Sequence, residues 1–221
     1  MTQTSKKINK KYLASLINRD SPTIFDVGCY DGRDSLEFLS VFKSPHIFAF
    51  DPLPNLTKEF KSALKLNKNF TLTKTALGNV DGFVDWHKSD DHPASNSMKT
   101  PKDHLVVFEN IKFSKIYNIK CSRVDTWVED NLKAKTIDLM WVDVNGAERE
   151  FLEGANQTTS EKVNFIFIEF SGVGKQKLYD GSYTKDEILA VLGGFEELGI
   201  YDFMGNYGNL LLRNRDIKEY R

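Results

Sequence analysis

Apolar residues along this chain gather into short continuous runs, and the stretches between them repeat their apolar positions every three to four residues. Ile24 to Phe25, Ile47 to Phe50, Phe70 to Thr75, Ile137 to Val142 and Phe165 to Ile168 read as strands bounded by turn residues. Their lack of alternation fits strands buried on both faces of a parallel sheet. Helix-period stretches lie between them: Asp34 to Phe42 with Leu36, Leu39 and Phe42; Asn55 to Leu66 with Leu56, Phe60 and Leu64; and Glu148 to Ala155 with Phe151, Leu152 and Ala155. The alternation predicts an α/β fold with a doubly wound, mostly parallel sheet.

The last third continues the scheme. Thr184 and Glu187 stand in T-x-x-E spacing ahead of Ile188, Leu189, Val191 and Leu192, which predicts a capping-box helix. Apolar segments near Ile200 to Met204 and Leu210 to Leu212, with Asn206, Gly208 and Asn209 between them, predict a C-terminal antiparallel hairpin. Between residues 79 and 122 the pattern breaks, and GFVDWHKS and YNIKCS read as extra strands around the polar loop SDDHPASNSMKTPKDH. Such a loop inside a compact domain is usually functional. With 221 residues, 40% of them hydrophobic, the chain is expected to form a single domain, with residues 1–22 as an N-terminal helical extension and 79–122 as an insertion.

Charge and cysteine content narrow the function classes. Thirty basic against thirty-one acidic residues leave no field to attract nucleic acid, and the opening KKINKK reads as a solvated face. Cys29 and Cys121 have neither C-x-x-C nor paired spacing, which fits a cytoplasmic location, and Cys29 reads as a small packing residue. The N-terminal apolar stretch Tyr12 to Ile17 is too short for a signal core or a membrane span. No membrane partner is expected, and nothing in the pattern speaks to oligomeric state.

Four strand candidates run into an acid at their carboxyl ends: Asp26, Asp51, Asp143 and Glu169. In an open parallel sheet those ends share a rim, and ligands bind outside it. The first turn, DVGCYDGRD, carries Gly28 and Gly32, and Asp51 follows at the spacing of a ribose-binding acid. Tyr30 fills the place where a dinucleotide fingerprint needs its second glycine, and GVGKQK at 172–177 lacks the spacing of a P-loop. A nucleoside cofactor without phosphates fits better.

The segments IFDVGCYDGRDSLEF, IFAFDPLPNL, TALGNVDGFVDW, SNSM, SRVDTW, WVDVNGAEREFLEGA and IFIEF resemble, in order and spacing, the FkbM-type S-adenosylmethionine-dependent methyltransferases over about residues 24–170. The resemblance implies a class I methyltransferase (Rossmann-like) fold, S-adenosyl-L-methionine as cofactor, and methyl transfer to a hydroxyl of a sugar, glycan or secondary metabolite. It implies that Asp26, Gly28, Tyr30 and Gly32 form the loop facing the methionine part, and that Asp51 holds the ribose. Ala76 and Leu77, at the end of the third strand, would border the adenine, and Asp143 would stand near the methyl and the acceptor. Tyr30 and Asn145 depart from the family's usual Asn and Glu, which leaves an altered acceptor, or a catalytically silent binding protein, as alternatives.

An alcohol acceptor must lose its proton to a group within hydrogen-bond reach. Candidates are Asp143, Glu169 and the loop histidines His92, His87 and His104, with Asp143 favoured. Ser95 and Ser97 could donate to a saccharide. Asn145 and Glu148 read as a capping box, N-G-A-E, opening the next helix, and Thr126 with Glu129 as another. Asp90, Asp91 and His92 lack metal-site spacing, so no metal is expected. The competing enzyme class is an NAD(P)-dependent oxidoreductase on the same kind of sheet.

Overall fold

The computed structural model describes residues 6–132, 136–173, 176–205 and 207–217. Gly174 and Lys175 of the GVGKQK run, Asn206 of the closing turn and residues 1–5 of the extension lie outside them. Helix α1 (Lys10–Ile17) leads into the alternating series β1 (Thr23–Val27), α2 (Arg33–Val41), β2 (His46–Phe50), α3 (Lys58–Leu66) and β3 (Phe70–Thr73). An excursion follows, through β4 (Ala76–Gly78), β5 (Gly82–Ser89), a 3-10 turn at Pro93–Ser95, α4 (His104–Val107) and β6 (Phe113–Arg123). The chain returns through α5 (Val124–Asn131), β7 (Ile137–Val142), α6 (Glu148–Gly154), α7 (Asn156–Lys162) and β8 (Val163–Phe170). It ends with the ribbon β9 (Gly172–Val173) and β10 (Gln176–Lys177), α8 (Lys185–Val191), and the hairpin β11 (Phe195–Tyr201) and β12 (Gly208–Asn214).

The main sheet has the order β3-β2-β1-β7-β8-β12-β11. Pairing is parallel from β3 to β8 and antiparallel at β12 and β11. Alternate residues of the central strands feed two cores: Phe25, Val27, Met140, Val142, Ile166 and Ile168 on one face, Ile24, Leu139, Trp141, Phe165 and Phe167 on the other. Burial on both faces explains the continuous apolar runs. The predicted capping box also forms, since the Thr184 side chain accepts from Glu187 N and Glu187 returns to the Thr184 backbone.

Several boundaries differ from the pattern. The third strand stops at Thr73, because Thr75 Oγ1 bonds Lys120 O at 3.1 Å and Ala76–Gly78 leave to pair in parallel with β6. Ala76 and Leu77 therefore begin the inserted sheet β4-β6-β5 instead of ending the third strand. Helix α3 starts at Lys58, not Asn55; the chain bends at Pro52 and Leu53, and Thr57 caps the helix by accepting from Phe60 N at 3.1 Å. The Thr126 capping box is absent. Thr126 Oγ1 donates to Asp81 at 2.8 Å, while Asp125 accepts from Gln157 N and Thr158 N and so caps α7, a partner too distant in sequence to foresee. Lys10 of KKINKK is buried instead of solvated, since its ammonium lies over the Phe38 and Trp141 rings and meets Asp34.

The inserted sheet is tied to the main body at α6. Arg123 donates to Asn79 O and Glu153 O, and Asn79 donates to Glu153 at 2.7 Å. Gly154 allows this approach, because a Cβ there would fall 1.7 Å from Gly78 O. Gly154→Ala should therefore cost about 2 kcal/mol or more in urea unfolding. A loss indistinguishable from wild type would show that the contact is looser.

Candidate active site

β1 lies between β2, the next strand in the chain, and β7, which the chain reaches only after β3 and the excursion, so the sheet reverses direction there. Asp143 N donates to Val27 O at 3.0 Å, and Gly28 N and Cys29 N both donate to Phe50 O at 2.9 and 3.0 Å. The first turn is thereby held against both neighbours. Gly28 has φ +84°, and a Cβ on it would lie 1.7 Å from Asp143 O, so only glycine lets the two strand ends close up. A crevice of about 850 Å³, its open mouth included, opens above this junction.

Of the predicted residues, Gly28, Tyr30, Asp51, Ala76, Leu77 and Asp143 line the crevice. Tyr30 takes a left-handed φ of 44°, which aims its N–H at Asp51 Oδ2, 3.1 Å away, while Leu53 N donates to Oδ1 at 2.8 Å. Burial pushes the Asp51 carboxyl up to about 6 against those two bonds. Asp26 and Gly32 do not line the crevice. Asp26 is buried behind it and accepts from the Ser35 hydroxyl of α2, its carboxyl pushed up to about 7 by burial and by the charge of Asp34. Gly32 faces α3, where a Cβ would meet the Phe60 ring at 1.8 Å.

Asp143 and Glu169 come together, and Glu148 joins them, each within electrostatic reach of the others. Asp143 is solvent-accessible in the crevice, yet its enclosure, followed by the charge of Asp34, pushes it up to about 6. Burial, then Asp143 and Glu148, raise Glu169 well above the usual carboxylate range, opposed by a 3.1 Å bond from Ser171. Glu148 is not the N3 residue of a capping box. Asn145 and Gly146 are both left-handed, with φ of 52° and 88°, so they form a turn and the helix begins only at Glu148. The Glu148 side chain is fully buried, with Oε1 accepting from Gly146 N at 3.0 Å and Oε2 without a partner. Burial, with Asp143 and Glu150 adding to it, pushes this carboxyl to about 8.

The loop histidines stand elsewhere. His92 is exposed, outside the crevice lining, with Nδ1 3.0 Å from Ser95 Oγ. His87 Nε2 lies 3.5 Å from Thr100 Oγ1. His104 is buried against Phe108, Phe113 and Tyr179, which holds its pKa down. Ser95 and Ser97 are buried and occupied: Ser95 Oγ meets both His92 and His104, and Ser97 Oγ donates to Asn145 O at 2.6 Å. Cys29 is buried, and burial pushes its thiol up, as fits a packing residue. Among the described residues no group of three His, Cys, Asp or Glu side chains is placed to hold a metal ion, and no helix is long and apolar enough to cross a membrane.

The excursion supplies what the sequence pattern did not: Trp86, Pro93, Ala94, Asn96 and Met98 roof the crevice, and Trp86 Nε1 is buried without a partner. The alternation of Val84 and Trp86 in β5 is the one signal that could have pointed to this wall. Asp31 and Asp34 complete the lining, so the described wall carries four aspartates, with Asp51 and Asp143, and no Lys, Arg or His. An acid-lined slot with apolar walls at Phe50, Leu77, Trp86 and Met98 fits a nucleoside bearing positive charge. Among the described residues it offers no cationic side chain to a pyrophosphate.

Residues 26–208 match the Methyltransferase FkbM domain family. Over 217 residues the chain is 30% identical to 2-O-methyltransferase NoeI of Sinorhizobium fredii (strain NBRC 101917 / NGR234), covering 96% of this chain and 86% of that protein. Among solved structures, Methyltransferase FkbM from Methylobacillus flagellatus KT shares the fold, with a TM-score of 0.51 and 12% identity over 88% of this chain. This chain spans 44% of that one. The acid-lined crevice, with no cationic side chain among its described residues, suits the expected cofactor, S-adenosylmethionine. The chain belongs to the FkbM methyltransferase family and is a methyltransferase.

Proposed function

We propose that this protein methylates a hydroxyl oxygen of a sugar, glycan or secondary metabolite, with Asp143 orienting the acceptor and taking its proton. The observation that carries the reading is the placement of Asp143, the accessible carboxylate at the β1–β7 junction, beside Glu148 and Glu169, whose carboxyls burial raises. A relative with 2-O-methyltransferase in its name supports oxygen as the acceptor atom. Bound S-adenosylmethionine would supply a methyl carbon activated on a sulfonium. Asp51 would accept from the ribose hydroxyls, Ala76, Leu77 and the Trp86 wall would enclose the adenine, and the Gly28–Tyr30 turn would face the methionine part. Asp26 and Gly32 act one step back, holding α2 and α3 behind that turn.

The protonation states divide the work. At neutral pH an Asp143 pushed to about 6 is mostly ionised and can accept a proton, while Glu148, pushed to about 8, keeps its own. Glu169, raised well above its usual range by burial and then by Asp143 and Glu148, accepts from the Ser171 hydroxyl. Raised folded-state values also set a stability slope. The unfolded chain loses the Glu148 proton above its ordinary value of 4.5, whereas the folded chain keeps it to about 8. Its stabilising contribution is therefore present below about 4.5 and is lost as pH rises through 8.

S-adenosylhomocysteine at a hundred times its dissociation constant should stabilise the protein by about 2.7 kcal/mol, and NAD or NADP should leave the melt unchanged. The reverse pattern would favour the oxidoreductase. Against a panel of neutral sugars and glycans, Asp143→Asn should lower the transfer rate by about 100-fold, with the product methyl on oxygen. A variant that transfers normally would remove Asp143 from the chemistry. Glu148→Gln keeps the bond from Gly146, and its stability advantage over wild type should grow by on the order of 2 kcal/mol between pH 5.5 and 8.5. Parallel stability curves would show that Glu148 does not hold its proton in the fold.

A further inference from the structure

The N-terminal helix α1 precedes the stretch that matches the family, yet it delivers a charge to the crevice wall. Lys10 is only 8% exposed, which is rare for a lysine. Its ammonium pairs with Asp34 and lies 3.9 Å from Glu37 Oε2, both on α2. It also sits 3.2 Å from the centre of the Trp141 ring and 5.0 Å from that of Phe38. Trp141 is held in turn by stacking on Phe167 at 4.0 Å. The cation is thus fixed between β7 and α2, beneath the crevice that Asp34 lines.

We propose that Lys10 is a positioning residue of the methyl-transfer site: it pins Asp34 in the crevice wall and cancels its charge, and so keeps the Asp143 carboxylate available as an anion. The inference rests on the reading of Asp143 as proton acceptor. Asp143 faces negative or potentially negative groups from every element around it: Asp34 on α2, Asp26 on β1, Glu148 on α6, Glu169 on β8, Tyr179 after β10 and Tyr207 before β12. Against these, the Asn145 N–H favours the anion. Asp34 acts directly on both Asp143 and Asp26, and Lys10, its partner, also acts on Asp26. Like charges in a poorly solvated site disfavour ionisation, so removing the cation while leaving Asp34 would push a proton onto Asp143. A lysine that merely tethered α1 would affect folding and leave that equilibrium alone.

The two roles separate in a carbon-13 carboxyl titration of Asp-labelled protein, with the Asp143 resonance identified by its loss in Asp143→Asn. Lys10→Met keeps an apolar stem of similar length and removes the charge. Its Asp143 midpoint should rise by on the order of one pH unit, and Lys10→Arg should restore the wild-type value. Asp34→Asn, which leaves Lys10 uncompensated, should lower the midpoint, and the double variant Lys10→Met with Asp34→Asn should return it toward wild type. If Lys10→Met does not fold, Lys10→Gln supplies the neutral variant, with the same rise expected and an unchanged midpoint overturning the proposal. An Asp143 midpoint unchanged in the folded charge variants would overturn the proposal. The acidic limb of the pH–rate profile should follow the midpoint; a midpoint that moves with a limb that does not would uphold Lys10 and overturn the catalytic reading of Asp143.

Discussion

Parallel pairing of β1 with β2 on one side and β7 on the other brings three strand ends to a single rim, and the close approach of Gly28 to the Asp143 carbonyl lets them meet there. The bonds from Gly28 and Cys29 to Phe50, and from Asp143 to Val27, keep the three ends in register. Tyr30 can point its N–H at Asp51 only because the turn is fixed in this way. The crevice is therefore a consequence of strand order.

The same adjacency creates an electrostatic problem. Asp26, Asp34, Asp51, Asp143, Glu148 and Glu169 gather at one end of the sheet, and burial raises several of them toward or past neutrality. Three devices relieve the crowding. Backbone N–H groups meet Asp51 and Glu148, a hydroxyl meets Asp26, and a buried ammonium meets Asp34. A cofactor with positive charge would add a fourth. The structure thus favours a cationic nucleoside for the same reason that it holds protons on its deeper acids.

Local chemistry was legible in the sequence wherever it was decided locally. Continuous apolar runs marked strands buried on both faces, Thr184 and Glu187 marked a helix start, and GFVDWHKS matched β5 residue for residue. The rim acids and the Gly28 turn followed from where those runs ended. Long-range partners escaped: Asp125 caps a helix some thirty residues away, and Lys10 finds Asp34 across two helices. Glu148 misled for a subtler reason. Asn145 to Glu148 has the spacing of a capping box, but two consecutive left-handed residues spend that spacing on a turn and carry the acid inward. The roof of Trp86, Asn96 and Met98 depends on how the inserted sheet folds back, which no local period encodes.

Binding at the strand-reversal point is the central claim, and a calorimetric titration of S-adenosylhomocysteine into wild type and Asp51→Ala tests it most directly. Loss of the carboxylate that faces the proposed ribose site should weaken binding at least tenfold, about 1.4 kcal/mol, with the protein still folded. Equal affinity in the two proteins would place the cofactor elsewhere and contradict the account.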